Sequence, residues 1–343
     1  MTSREYDESD VRIRPGRSTR RRSKDRPEHK DAIRVLVTAV DRGRTTCISD
    51  TGTIITAMKA RELGPKSVVV GDYVNLVGDV SGTEGSLSRI VSIEPRKNTL
   101  SRTVDDAARV ERTIVANIDQ LVIVIAAANP EPRRGLIDRF LVCAFHESID
   151  PVILVTKTDV APVPDFIHEY KALGVRIITT AIKSDSAEKD LKNLREILNM
   201  KTSVLVGHSG VGKSTLINSL VPHAHRLTGD VNDVTGRGRH TSSSAVALPL
   251  AADLSSKEGW IIDTPGIRAF GLAHLDSNKI VASFPDLFEV TQSCMPNCSH
   301  HESGCSLNSW ASPDGVINPE RSARVSSLRS LLELKDANPP LID

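Results

Sequence analysis

Aromatic side chains are scarce: the 343 residues hold two Trp, three Tyr and six Phe. A nucleic-acid surface that works mainly by stacking bases on rings is thereby disfavoured, and contacts to a charged backbone are the alternative. No apolar run approaches the ~20 residues of a membrane span, and the N-terminus is polar without a secretory hydrophobic segment. These absences predict a cytoplasmic protein with no membrane partner. Five cysteines, unevenly placed, make no disulfide framework. The net charge is only +1, so no global basicity points to nucleic acid. Nothing demands a dimer, and a monomer is expected.

The charge distribution says more than its sum. From Arg12 to Lys24 there are seven basic residues and no acid, with almost no apolar side chains. This reads as a disordered basic tail able to neutralise RNA phosphates, or else as a solubilising extension.

The segment Gly207-His208-Ser209-Gly210-Val211-Gly212-Lys213-Ser214 has the spacing G-x-x-x-x-G-K-[ST]. It follows the apolar run Ser203 to Val206, a buried strand, and precedes the helix start Ser214-Thr215-Leu216. Strand, glycine-rich loop and helix together make a phosphate-binding loop. Backbone N–H groups surround the phosphates there, aided by the positive helix end. Lys213 is expected to reach the β- and γ-phosphates. The Ser214 hydroxyl is expected on Mg²⁺, and Thr215 on the α-phosphate.

A second buried strand, Pro151 to Val155, ends at Thr156-Lys157-Thr158-Asp159. A carboxylate just past a strand end lies where open α/β sheets bind ligands. Guanine offers N1–H and an exocyclic NH₂ side by side, and Asp159 can accept both. Lys157 can lay its stem over the base. Thr156 stands where the usual residue is Asn, so one hydrogen bond to the base or the loop is expected to be missing. Thr179-Thr180-Ala181 is a candidate base-backing loop.

Gly259 to Ile262 reads as a strand leading to Asp263-Thr264-Pro265-Gly266. Asp263 can hold the Mg²⁺ shell, and the Gly266 N–H can meet the γ-phosphate. Residues 229–244 are polar and glycine-bearing, as a switch requires. Thr241 is the expected switch hydroxyl, with Ser242 second. Ile267 occupies the place where a glutamine often orients water, so intrinsic hydrolysis is expected to be slow. His240 is a candidate to orient or deprotonate that water. A solvated loop histidine, or one contacting RNA, fits equally well.

Cys294, Cys298, His300 and Cys305 follow the pattern C-x₃-C-x-H-x₄-C. Four such donors suit tetrahedral, closed-shell zinc, with Pro296 and Gly304 permitting tight turns. His301 is the competing ligand. Cys47 and Cys143 read as ordinary buried thiols.

The fold class expected is α/β in four parts. Residues 1–32 form the tail. Residues 33–100 contain short β-type runs (33–40, 53–58, 72–77 and 87–93) and form a five-stranded nucleotide-binding (OB-type) barrel. Residues 101–274 form a mostly parallel P-loop sheet whose motifs run in circularly permuted order. Residues 275–343 form a helical zinc-binding domain.

The permuted order, the Gly236-Arg237-Gly238-Arg239-His240-Thr241 switch, Asp263-Thr264-Pro265-Gly266-Ile267 and the Cys/His knot after a barrel resemble the small ribosomal subunit biogenesis GTPase family, RsgA (YjeQ). The resemblance spans about residues 33 to 335. It implies a late assembly and checkpoint factor of the small subunit that binds rRNA with GTP bound and leaves after subunit-stimulated hydrolysis. It implies zinc at Cys294, Cys298, His300 and Cys305, GTP at 156–159 and 207–215, and supports His240 as catalytic. The chain departs in Thr156 for Asn, in Thr241-Ser242-Ser243 for three threonines, and in two shorter zinc spacings. Two other classes compete: a small-molecule phosphotransferase, and a nucleotide-gated RNA-binding protein with negligible hydrolysis.

Overall fold

The computed structural model describes residues 29, 31–41, 43–64, 67–103, 111–221, 245–251, 258–264 and 277–336. The basic run 12–24, the 229–244 segment with His240, Thr241 and Ser242, and Gly266 and Ile267 lie outside them. The described residues from Ala32 onward cluster as one compact unit.

Five strands make the barrel: β1 (Ile33–Asp41), β2 (Arg44–Ser49), β3 (Ile54–Lys59), β4 (Tyr73–Gly78) and β5 (Ser88–Ile93). The order around it is β1-β2-β3-β5-β4, closed by β4 on β1, and β3–β5 is its parallel pair. Closure removes free sheet edges. Alternation along β1 sends Val35 and Val37 inward with Cys47, Ile55, Val74, Leu76 and Ile90, and sends Leu36 to the main core. β2 carries no alternating apolar signal, because its only apolar residues, Cys47 and Ile48, are adjacent and follow the pair Thr45-Thr46. Burial pushes the Cys47 thiol up to about 12, which makes it an unreactive packing group.

A ribbon of β6 (Thr99–Thr103) and β7 (Glu111–Ala116) follows. The nucleotide-type sheet then comprises β8 (Gln120–Ala126), β9 (Asp150–Thr156), β10 (Arg176–Thr179), β11 (Thr202–Val206), β12 (Val246–Pro249) and β13 (Trp260–Asp263). Its order is β10-β9-β8-β11-β13-β12, parallel except for β12. The edge strand β12 meets barrel strand β1 at Ala39 and Val246, so the two sheets are continuous.

β8 is buried along its whole length because both faces are covered. Val122, Val124 and Ala126 pack on α2 (Ala187–Leu198) and α3 (Lys213–Leu220). Leu121, Ile123 and Ile125 face α1 (Arg134–His146). The connection from β9 to β10 is a 3₁₀ segment, Asp165–Leu173, rather than a regular α-helix.

The C-terminal helices are α4 (Ser277–Ala282), α5 (Pro285–Thr291), α6 (Ser306–Ala311) and α7 (Pro319–Asp336). Ile280, Leu287, Leu307, Leu328 and Leu331 join the core that α1 lines. Among the described residues no helix is long and apolar enough to cross a membrane.

A buried polar cluster ties α7 to α1. Arg324 donates to Asp138 Oδ1 at 3.3 Å and to Asp286 Oδ2 at 3.2 Å, and Ser327 donates to Asp138 Oδ2. Burial pushes the Asp138 carboxyl up to about 6, against the pull of Arg324. A folded value above the unfolded one makes Asp138 favourable to stability at low pH, an advantage lost as pH rises through about 6. Arg324→Met is expected to destabilise the fold by about 3–5 kcal/mol, because a buried carboxylate is left uncompensated. The same change raises Asp138 further, so the deficit in urea should shrink as the pH is lowered from 8 towards 5.5. A pH-independent deficit would contradict this account.

Candidate nucleotide site and metal-binding cluster

The carboxyl ends of β8, β9, β11 and β13 open on one cavity of about 820 Å³. Its wall includes Thr156, Lys157 and Asp159 after β9, then Gly207, Ser209, Gly210, Gly212, Lys213, Ser214 and Thr215 around the glycine-rich loop, and Asp263 at the end of β13. Segments up to about a hundred residues apart in the chain thus meet where a parallel sheet places its ligands. Thr158, His208 and Val211 belong to the same loops but do not line the cavity: His208 is exposed and Val211 is buried.

Two glycines of the loop are required by its shape. A Cβ on Gly207, at φ 147°, would stand 2.1 Å from the Val124 carbonyl oxygen. Gly212 opens α3 at φ 98°, and its Cβ position is 3.7 Å from Thr156 Oγ1. Lys213 Nζ donates to the Gly207 carbonyl at 2.6 Å and the His208 carbonyl at 3.0 Å, so its ammonium sits in the mouth of the loop. Burial pulls the Lys213 ammonium down while Asp263 holds it up. Burial likewise pushes the Asp263 carboxyl up against the pull of Lys213. Both ions are partly stripped of water and face one another, an arrangement that favours a ligand carrying phosphate and a divalent cation together.

The side of the cavity formed by Lys157 and Asp159 is ordered by turns. Lys157 adopts φ 58°, and its Nζ donates to the Asn129 carbonyl. Asp159 is exposed at the cavity lip. The segment Thr179-Thr180-Ala181 stands behind it: Thr180 N–H donates to Val155 O at 2.8 Å, and Ala181 N–H to Asp190 Oδ2 at 2.9 Å. The bond in doubt at Thr156 is made on the loop side, where its hydroxyl lies 2.5 Å from the Val211 carbonyl oxygen.

Asn129, Val160, Ile182 and Lys183 also line the cavity and were missed by the sequence reading. Asn129 was findable, since it follows the carboxyl end of β8. Ile182 and Lys183 carry no local signal, because their placement depends on the turn that Asp190 holds.

Cys294, Cys298, His300 and Cys305 bring their donor atoms within 4.8 Å of one another. Cys294 Sγ is 3.7 Å from Cys305 Sγ, and His300 Nδ1 is 3.8 Å from both. Donors about 2.0–2.3 Å from a tetrahedral centre stand roughly 3.5–3.8 Å apart, so these residues fit zinc. Cys298 Sγ donates to Glu302 Oε2 at 3.1 Å. His301 turns away, its Nδ1 3.7 Å from Glu333 Oε1 on α7. The left-handed turns fall at Asn297 (φ 60°) and His300 (φ 69°), not at Gly304. Arg329 of α7 braces the knot through the His300 carbonyl at 2.7 Å.

Comparison with known proteins identifies the family and the fold. Residues 93–273 match the model of the RsgA GTPase family. A protein named small ribosomal subunit biogenesis GTPase RsgA from Saccharophagus degradans is 37% identical over 270 residues, covering 74% of this chain and 73% of that protein. A protein of the same name from Pseudomonas aeruginosa is 36% identical over 251 residues, covering 71% and 70%. Among solved structures, YloQ, described as a circularly permuted GTPase, superposes with a TM-score of 0.61 at 23% identity, over 92% of this chain and 100% of that one. YjeQ from Thermotoga maritima gives 0.63 at 24%, over 88% and 98%. The match over residues 93–273 and these relatives, together with a turn after β9 that precedes the glycine-rich loop in the chain yet shares its cavity, place the chain in the RsgA GTPase family of GTP-hydrolysing enzymes.

Proposed function

We propose that this protein is a slow GTPase that acts in assembly of the small ribosomal subunit, holding rRNA with GTP bound and leaving after subunit-stimulated hydrolysis. The observation that carries the reading is the single cavity shared by Asp159, Lys213 and Asp263, supported by relatives named for small-subunit biogenesis. Asp159 selects guanine, the 207–215 loop holds the phosphates, and Lys213 neutralises charge between the β- and γ-phosphates. Ser214 and Asp263 would hold Mg²⁺, which supplies charge neutralisation at the transferring phosphoryl group. Thr241 and the Gly266 N–H would meet the γ-phosphate, and His240 would orient the attacking water in place of a glutamine. Cys294, Cys298, His300 and Cys305 would hold one structural zinc.

The proposed divisions are 1–32, 33–100, 101–274 and 275–343, with β6 running across the second boundary. The barrel, the zinc-binding helices and the basic tail are the candidate rRNA contacts, in a cytoplasmic and monomeric protein.

The test is GTP turnover with and without purified small subunits. Stimulation of at least about tenfold is expected, and His240→Ala should lose about 10²–10⁴-fold of the stimulated rate with GTP binding intact. Turnover unchanged by subunits would sink the reading. The nucleotide-gated alternative, favoured by Ile267, predicts binding without any stimulated hydrolysis.

A further inference from the structure

The end of β9 carries a threonine whose side chain is committed away from the ligand. Thr156 is 3% exposed, and its hydroxyl lies 2.5 Å from the Val211 carbonyl oxygen and 3.1 Å from the Ile125 carbonyl oxygen. A hydroxyl has one proton, and both neighbours are acceptors. That proton is therefore taken up by the protein. Val211 is the residue before Gly212, the left-handed residue that opens α3. The bond thus ties the phosphate loop to the strand that carries Lys157 and Asp159. The Gly212 Cβ position, 3.7 Å from Thr156 Oγ1, shows how closely strand end and loop approach.

An amide at this position has two protons. It can hold the loop with one and offer the other to an acceptor on the purine. A hydroxyl cannot do both. Guanine presents its donors, N1–H and NH₂, on one edge and its acceptors, O6 and N7, on another.

We propose that Thr156 is a positioning residue that clamps the phosphate loop to the base-recognition turn, and that guanine N7 receives no side-chain hydrogen bond from this position. This rests on the guanine reading of the cavity. The clamp lowers the cost of ordering the loop around phosphate, so it acts on nucleotide affinity rather than on base choice. Specificity then falls on the donor edge read by Asp159.

The experiment is calorimetric titration of the full chain with GDP, ADP and 7-deaza-GDP, in which N7 is replaced by C–H. Wild type is expected to bind GDP and 7-deaza-GDP within about threefold of each other. Thr156→Val leaves the Val211 carbonyl unpaired and should lose about tenfold for both ligands with their ratio unchanged. Thr156→Ser, which keeps the proton, should restore most of that affinity. Thr156→Asn should acquire a preference for GDP over 7-deaza-GDP of about tenfold, as an added amide proton finds N7.

A GDP-selective protein whose Thr156→Val variant binds like wild type would overturn the clamp. Wild-type rejection of 7-deaza-GDP by tenfold or more would overturn the N7 assignment, and needs no variant to fold. Equal binding of GDP and ADP by wild type would instead overturn the guanine reading beneath both.

Discussion

Asp159→Asn is expected to weaken GTP binding by about 10²–10⁴-fold and to turn the preference towards xanthosine triphosphate. The carboxylate stands at the lip of the cavity past the end of β9, two residues after the left-handed turn at Lys157. As an anion it accepts from N1–H and the exocyclic NH₂ together, two charge-assisted bonds at one planar group. Asparagine keeps one acceptor and sets an NH₂ against the guanine NH₂, so one bond is lost and two donors confront each other. Xanthine has a carbonyl in place of that amine and is matched by the amide. Binding measured with both nucleotides decides it: unchanged GTP affinity in the variant would put the purine elsewhere. ATP, which lacks the donor pair, should bind neither protein well.

The second large effect is expected at the Cys/His cluster. Cys305 is 2% exposed and immediately precedes α6, so it is both donor and core residue. Cys305→Ser should reduce bound zinc from one per chain to less than about a tenth, since three donors with one weak replacement do not make a closed site. Structural zinc in isolated fingers contributes about 10–16 kcal/mol to folding. Here the α4–α7 helices also pack through Ile280, Leu287, Leu307 and Leu328, so only part of that would be lost. A loss of about 2–3 kcal/mol would lower the thermal midpoint by about 3–4 °C in a chain of this size. Chelation of wild-type protein should give the same shift, and an unmoved midpoint with full zinc content would refute the assignment. His301→Ala should leave metal content unchanged, because that ring faces Glu333.

Much of the site was legible because its chemistry is local. The phosphate loop needs glycines, a lysine and a hydroxyl at fixed offsets, and a strand and helix on either side. All of that lies within about twenty residues. The metal cluster is likewise four donors in twelve residues, although its turns use Asn297 and His300 rather than the glycine. The barrel was legible from repeated short β-type runs. Its second strand was not, because Thr45 and Thr46 break the apolar pattern while still pairing with β1 and β3.

The sequence alone determined the ligand class, the permuted motif order, a Cys/His cluster of metal-binding type and the α/β sheet, since each depends on residue type and short-range spacing. Only the tertiary structure decided how Thr156 spends its one proton, that His301 turns to α7, that Lys183 and Asn129 reach the cavity, and that β12 joins the barrel at Ala39. Those are contacts between segments far apart in the chain. Which donor meets which acceptor there is set by packing of the intervening core, and no local pattern of residues encodes it.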